Sequence, residues 1–325
     1  MKREEKGTFT LGVVFIIILA VSSWMGTAYA QDKYPKRAID IIISVPPGAG
    51  VDLTARVISS FFNKKWRVPV NAINKPGGNS IPAILDVYSA SPDGHTLLCD
   101  SFSTSAGMSL LRNLPFKIMD RTFFGRVAAT PLLLMVPATS PYKTIDDVAQ
   151  AALKDPGSFT WTSLGGTMPP DYIIRQFFKV KGIDVRLTKP VIAKGGSEAT
   201  VLTAGGHVKL GAGTTTGILQ AYRNGTVRPL GISGKGRNPD YPEIPTFEEL
   251  GYPQIGFLQW YGISGPAKVP IHIVEAWEKG FQEMVKDPEV VKKSNNIGAI
   301  PYYVSAAETR EIVLKQIDEM QELLK

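Results

Sequence analysis

The chain has 325 residues, 44% of them apolar, with 36 lysines and arginines against 29 acidic residues, a net charge of +7 and one cysteine. A lone cysteine excludes an intramolecular disulfide. The basic residues are scattered and make no stripe interleaved with aromatics, so nucleic acid is not an expected partner. A positive balance favours small anions instead, and at about 150 residues per domain the length predicts two lobes.

The N-terminus reads as a secretion signal. Lys2, Arg3 and Lys6 form a basic start, Leu11 to Val21 is an apolar run, and Ala28-Tyr29-Ala30 supplies small residues for a peptidase. The run is shorter than the roughly 20 residues of a membrane span. Residues 1–30 are therefore expected to be cleaved after Ala30 and the remainder exported to the periplasm.

Short β-branched runs then alternate with stretches of helical period, the pattern of sheets covered by helices in an α/β fold. Ile39 to Val45 reads as a strand and Asp52 to Lys65 as a helix with Leu53, Val57, Ile58, Phe61 and Phe62 on one face. Val68 to Ile73, the turn-rich Asn74 to Asn79, a helix over Ile81 to Ala90 and a strand over Thr96 to Asp100 repeat the unit. The apolar segment from Arg126 to Pro137 reads as a strand crossing into a second lobe, with a break at Pro131.

Beyond it, the pattern predicts a helix Ile145 to Leu153 capped by Thr144 and strand Thr160 to Ser163. Helix Asp171 to Val180, strand Lys189 to Ala193, a helix near Ser197 to Ala204 and strand Val208 to Gly211 follow. The chain returns through Gly256 to Ser264 and ends in helices Ile271 to Val285 and Ala306 to Leu324. This gives lobe one as 31–132 with 260–325, and lobe two as 133–259, joined by two hinge crossings.

Four strand-to-helix junctions share one design. They are Pro46-Pro47-Gly48-Ala49-Gly50-Val51-Asp52, Asn74 to Ser80 with Gly78 and Asn79, Ser163-Leu164-Gly165-Gly166-Thr167, and Lys194-Gly195-Gly196-Ser197. Helix N-termini at strand ends offer unpaired N–H groups and partial positive charge, so they suit a carboxylate without a buried arginine. Ser101, Ser103, Thr104 and Ser105 add hydroxyls at the same edge, and Val45 stands at the first strand's end. Asp52 sits beside this anion site, and its expected task is in the first turn of the helix, where it accepts backbone N–H bonds; the alternative is direct contact with an amino or hydroxyl group of the ligand.

Enzyme motifs fail. Gly48 to Leu53 lacks the third glycine of a dinucleotide fingerprint, and Gly231-Ile232-Ser233-Gly234 and Gly262-Ile263-Ser264-Gly265 close one residue too early for a nucleophile elbow. His95, His207 and His272 lack the spacing of a metal site, and Cys99 reads as a buried strand thiol. No catalytic residue, metal or cofactor is expected.

At these loops the sequence resembles the substrate-binding proteins of tripartite tricarboxylate transporters, also called Bordetella uptake gene receptors. The likeness runs from Tyr34 to about Leu324. It rests on Tyr34-Pro35, Val45 to Arg56, Asn74 to Asn79, Ser91 to Leu98, Pro245 to Pro253, Trp260-Tyr261-Gly262 and Gly265-Pro266-Ala267. The resemblance implies a two-lobed type II periplasmic binding fold that closes like a flytrap on a carboxylate held by the loops of both lobes, partly through water. It implies a monomer that hands a di- or tricarboxylate or aromatic acid to membrane transporter subunits. A sensor feeding a signalling partner, or a secreted enzyme on the same frame, are the rival readings. The chain departs from the family pattern at Val45, at Gly107-Met108 and at Gly213-Thr214. There the small residues 212–216, with Thr214 and Thr215, would admit a bulkier ligand than an amino acid or would offer hydroxyls to the ligand.

Overall fold

The computed structural model describes residues 34–166, 168–234, 236–238 and 241–322. The proposed leader and Thr167 lie outside the described residues. Among the described residues, no helix is long and apolar enough to cross a membrane.

Strand β1 (Ile39–Ile43) leads into helix α1 (Gly50–Trp66), and β2 (Val70–Asn74) into a short 3-10 turn and α2 (Ile81–Tyr88). β1 lies parallel to both β2 and β3 (Thr96–Ser101), the arrangement that helical crossovers impose. The face of α1 that carries Val51, Ala55, Val57, Ile58 and Phe62 is buried, as its helical period requires. Phe62 then meets Trp66, Trp277 and Phe281, with ring centroids 4.3, 4.4 and 5.6 Å away.

β4 runs unbroken from Arg121 to Pro137. The expected break at Pro131 is therefore corrected, and the strand begins five residues before Arg126. Pro131 instead marks a change of partners. Residues 121–131 pair with β9 (Leu258–Pro266), whereas 132–137 pair with β7 (Gly211–Thr214) and β8 (Val227–Ile232). A proline is tolerated where its missing N–H falls at such a handover. Next to β4 on its other side lies β10 (Ile300–Val304), giving the order β10-β4-β9-β3-β1-β2.

Past β4 come α3 (Ile145–Lys154), β5 (Thr160–Ser163), α4 (Pro169–Val180), β6 (Lys189–Ile192) and α5 (Gly196–Ala204). Thr144 caps α3 as expected, in a reciprocal box with Asp147. β5 and β6 pair in parallel, and Trp161 bridges to Leu210 just ahead of β7. The strand expected at Val208 to Gly211 is displaced to Gly211–Thr214. Helices α6 (Thr215–Arg223) and α8 (Pro288–Asn296), with strands β8 and β10, were not foreseen. α7 (Ile271–Met284) and α9 (Ala306–Glu322) match the expected C-terminal helices.

A large buried cluster, containing Phe102, Trp161, Phe177, Phe257, Trp260 and Val313, joins the two strand groups at the handover. Below the third strand's hydroxyls, Asp100 and Arg121 form a buried ion pair of 2.7 Å. Arg121 also donates to the Thr104 carbonyl. Cys99 is fully buried, and burial pushes its thiol well above the ordinary range.

Candidate functional site

The first junction is built around Asp52. Its side chain lies in the first turn of α1 and is 1% exposed. The Gly48 N–H donates to Oδ2 at 2.9 Å, Asn74 Nδ2 donates to Oδ1 at 2.9 Å, and Arg56 Nη2 lies 2.9 Å from Oδ1. Asn74 also donates to the Val45 carbonyl at 3.0 Å and accepts from Arg56 Nη2 at 3.0 Å. The carboxylate therefore bolts the loop after β1 to the end of β2. Burial pushes its pKa up, but the bonds from Arg56, Gly48 and Asn74 outweigh that and hold it below the usual carboxylate range. Asp52 supports the loop from behind.

The same device recurs twice. Asp171, fully buried in the first turn of α4, accepts from Ser163 Oγ at 2.5 Å and from the Leu164 N–H at 3.0 and 3.1 Å. Here burial wins, and the Asp171 pKa is raised despite those bonds and the nearby Arg175. Glu198, in the first turn of α5, accepts from the Lys194 N–H at 2.7 Å. In each case an acid one turn into the helix reaches back and fixes the loop that precedes it. That signal was present in the sequence, as an acid a few residues beyond each glycine pair.

The loops so fixed face outward. Pro47, Gly48, Gly78, Asn79, Gly165 and Lys194 are exposed, and Ala49, Gly50, Gly166, Gly195 and Gly196 are half-buried. An added Cβ at Gly48, Gly165, Gly195 or Gly196 would meet nothing within 4 Å. Gly48 needs glycine for its backbone, at φ +89°. Gly77, Gly78, Asn79 and Ser80 all have positive φ in succession, and in Asn79 and Ser80 that is stored strain. The N-cap residues Ala49, Met168 and Gly195 supply no side-chain cap to α1, α4 and α5, while α3 and α8 are capped by Thr144 and Asp287. The helix starts at these loops thus keep backbone donors that no capping side chain covers.

Other expected site residues have structural partners. Thr104 donates to Asp100 at 2.7 Å, Ser105 to the Ser101 carbonyl at 2.7 Å, and Ser101 Oγ lies 3.4 Å from Thr104 Oγ1. Ser103 is half-buried. Thr214 caps α6 through the Gly217 N–H, and Thr215 donates to the Gly298 carbonyl at 3.1 Å. Val51 is buried in the α1 face, and Thr167 is outside the described residues.

Tyr261 was not foreseen as part of the site. Its buried hydroxyl bonds Thr130 and Gln259, burial pushes its pKa up to about 12, and a Cβ on Gly50 would come within 2.5 Å of it. Glycine at position 50 is what lets the first loop lie against β9. Among the described residues, no group of three or more His, Cys, Asp or Glu side chains is placed to hold a metal ion.

This geometry has clear relatives. Protein BugT of Bordetella pertussis is 26% identical over 95% of this chain and 94% of its own length. A protein from the tcbD-tcbE intergenic region of Pseudomonas sp. is 29% identical over 87% and 84%. Among solved structures, MatC of Rhodopseudomonas palustris with bound malate matches with a TM-score of 0.76 at 21% identity, covering 90% of this chain and all of its own. The R. palustris protein Rpa4515 with adipate matches at 0.78 and 20% identity, covering 90% and 97%. These matches carry the periplasmic binding fold, with its mixed sheets and flanking helices. The model of the tripartite tricarboxylate transporter family receptors matches residues 54–325. The chain therefore belongs to the tripartite tricarboxylate transporter receptor family, a family of solute-binding receptors and not of enzymes.

Proposed function

We propose that the chain is exported, cleaved after Ala30, and acts in the periplasm as a monomeric receptor. It captures a small carboxylate at the strand-end loops and presents the closed form to the membrane subunits of its transporter. The lobes are residues 31–132 with 260–325, and 133–259. The change of partners along β4 at Pro131 supports the first hinge, and the link from β8 to β9 is the second.

One observation carries the reading. Of the uncapped helix starts, those of α1, α4 and α5 follow loops that are fixed by buried or reach-back acids of the chain itself. A ligand carboxylate is the group such backbone donors suit. The malate and adipate of the structural neighbours make dicarboxylates the first candidates. Among the described residues, Val45, Gly48 to Gly50, Gly78, Asn79, Ser103, Gly165, Gly166 and Lys194 to Gly196 are the ones we assign to it. Closure then requires that binding favour the closed state over the open one.

A thermal-shift screen of the mature protein with malate, succinate, adipate, citrate, nicotinate and their neutral amides tests this. A ligand that binds only the folded chain raises Tm. At least one acid is expected to do so while its amide does not; amides as effective as acids would overturn the reading.

A further inference from the structure

Consecutive residues of a strand face opposite ways, so Trp260 lies on the face of β9 turned away from Tyr261. On that side, β4, β10, α4, α9 and the segment before β9 line an open chamber of about 520 Å3, whose residues include Arg126, Gln176, Tyr302, Lys315, Gln316 and Glu319. None of the residues of the four strand-end loops lines it.

Arg126 is 4% exposed, and its guanidinium carbon stacks 4.2 Å from the Trp260 ring centroid. The Tyr302 hydroxyl bonds the guanidinium, yet burial outweighs that and draws the pKa below the ordinary arginine value. Nε and Nη2 have no hydrogen-bond partner among the described residues. These two N–H groups lie on one edge of the guanidinium, the side-on fork that grips a carboxylate with two parallel bonds. Asp100 acts on the guanidinium through space only and is itself paired with Arg121 at 2.7 Å; a buried cation with no directly bonded counter-charge is costly to keep. Glu319 shares the wall, but it accepts from the Tyr172 hydroxyl at 2.9 Å and pairs with Lys315 at 3.8 Å. With Arg126 and Lys315 against one carboxylate, the wall is net positive.

We propose that this chamber is a second binding site, separate from the receptor loops, for a small carboxylate anchored bidentately by Arg126. α4 walls the chamber through Tyr172 and Gln176, and in its first turn carries Asp171, which fixes the Ser163 loop.

The test is a titration of Gly48→Asp protein, in which the loop site is silenced, with succinate and separately with inorganic phosphate, read by tryptophan fluorescence and Tm. A saturable succinate response is expected to persist, because Trp260 lies under the anchor. Adding Arg126→Met should weaken it by about ten-fold or more. Ile312→Trp, which fills the chamber from α9, should do the same and covers the case in which Arg126→Met fails to fold. No saturable response in Gly48→Asp, or one that both further variants leave intact, would overturn the proposal. So would a response to phosphate as strong as that to succinate. Equal destabilisation by Glu319→Gln and Arg126→Met, without any anion response, would show that the chain neutralises its own guanidinium and would also overturn it.

Discussion

Asp52→Asn is the sharpest probe of how the first loop is held. The amide keeps one acceptor oxygen, so one of the bonds from Gly48 and Asn74, each 2.9 Å long, survives as a neutral bond. The other meets an NH2 group and becomes donor against donor in a side chain that is 1% exposed. Weakening one charge-assisted bond and turning a second donor, on exposed Gly48 or half-buried Asn74, against an NH2 group costs about 1–3 kcal/mol, a sizeable part of the roughly 5–15 kcal/mol that holds a typical domain. Arg56 is half exposed and returns to water, so it contributes no separate figure. Because the folded pKa of Asp52 is depressed, its stabilisation is complete above the unfolded value, near 3.8, and is lost as pH falls through the folded value. Urea unfolding of both proteins at neutral pH and in acid measures this. The gap should be full at neutral pH and close in acid. A neutral-pH difference under about 0.5 kcal/mol, or one that persists undiminished in acid, would refute the reasoning.

Asp171→Asn should cost less at neutral pH than Asp52→Asn, since burial has raised the Asp171 pKa. Its charged form weakens the fold as pH rises from the unfolded value through the raised one, so the same urea series should show the opposite slope. Gly50→Ala places a Cβ 2.5 Å from the Tyr261 hydroxyl oxygen and should destabilise by about 1–3 kcal/mol; Tyr261→Phe in the same protein should recover part of the loss in thermal melts. Asp100→Asn strands the buried guanidinium of Arg121 and should cost about 3–5 kcal/mol by denaturant unfolding. Cys99 should resist a thiol reagent at pH 8 until the protein is unfolded, because its thiol is fully buried and its pKa raised.

The strand-loop-helix units were legible because their side chains keep a period. Thr160–Ser163 and the Thr144-capped helix fall where the pattern puts them. β7 was misplaced because Gly211-Ala212-Gly213 has no β-branched residue to signal a strand. Packing explains its composition: a Cβ on Gly211 would lie 2.1 Å from Thr203 Oγ1, so α5 can approach only a bare backbone. α8 buries only Val290 and Ser294, too narrow an apolar stripe to read as a helix. β10 pairs only with β4, at the sheet edge, and its half-buried tyrosines show no alternation. The glycine loops and the first-turn role of Asp52 were legible, but the same role for Asp171 and Glu198 became so only when the three acids were seen together. Arg126 gave no signal at all, since an arginine inside an apolar strand says nothing of what faces it.

A ligand carboxylate seated against helix-start amides is the centre of the proposed capture. A crystal structure of the mature protein with the tightest acid from the thermal-shift screen tests that most directly. A carboxylate oxygen is expected within about 3 Å of backbone N–H groups at the start of α1 or in the Gly77 to Ser80 turn. An acid bound elsewhere, with the loops from Pro46 to Gly50 and from Lys75 to Ser80 touching only solvent, would contradict it.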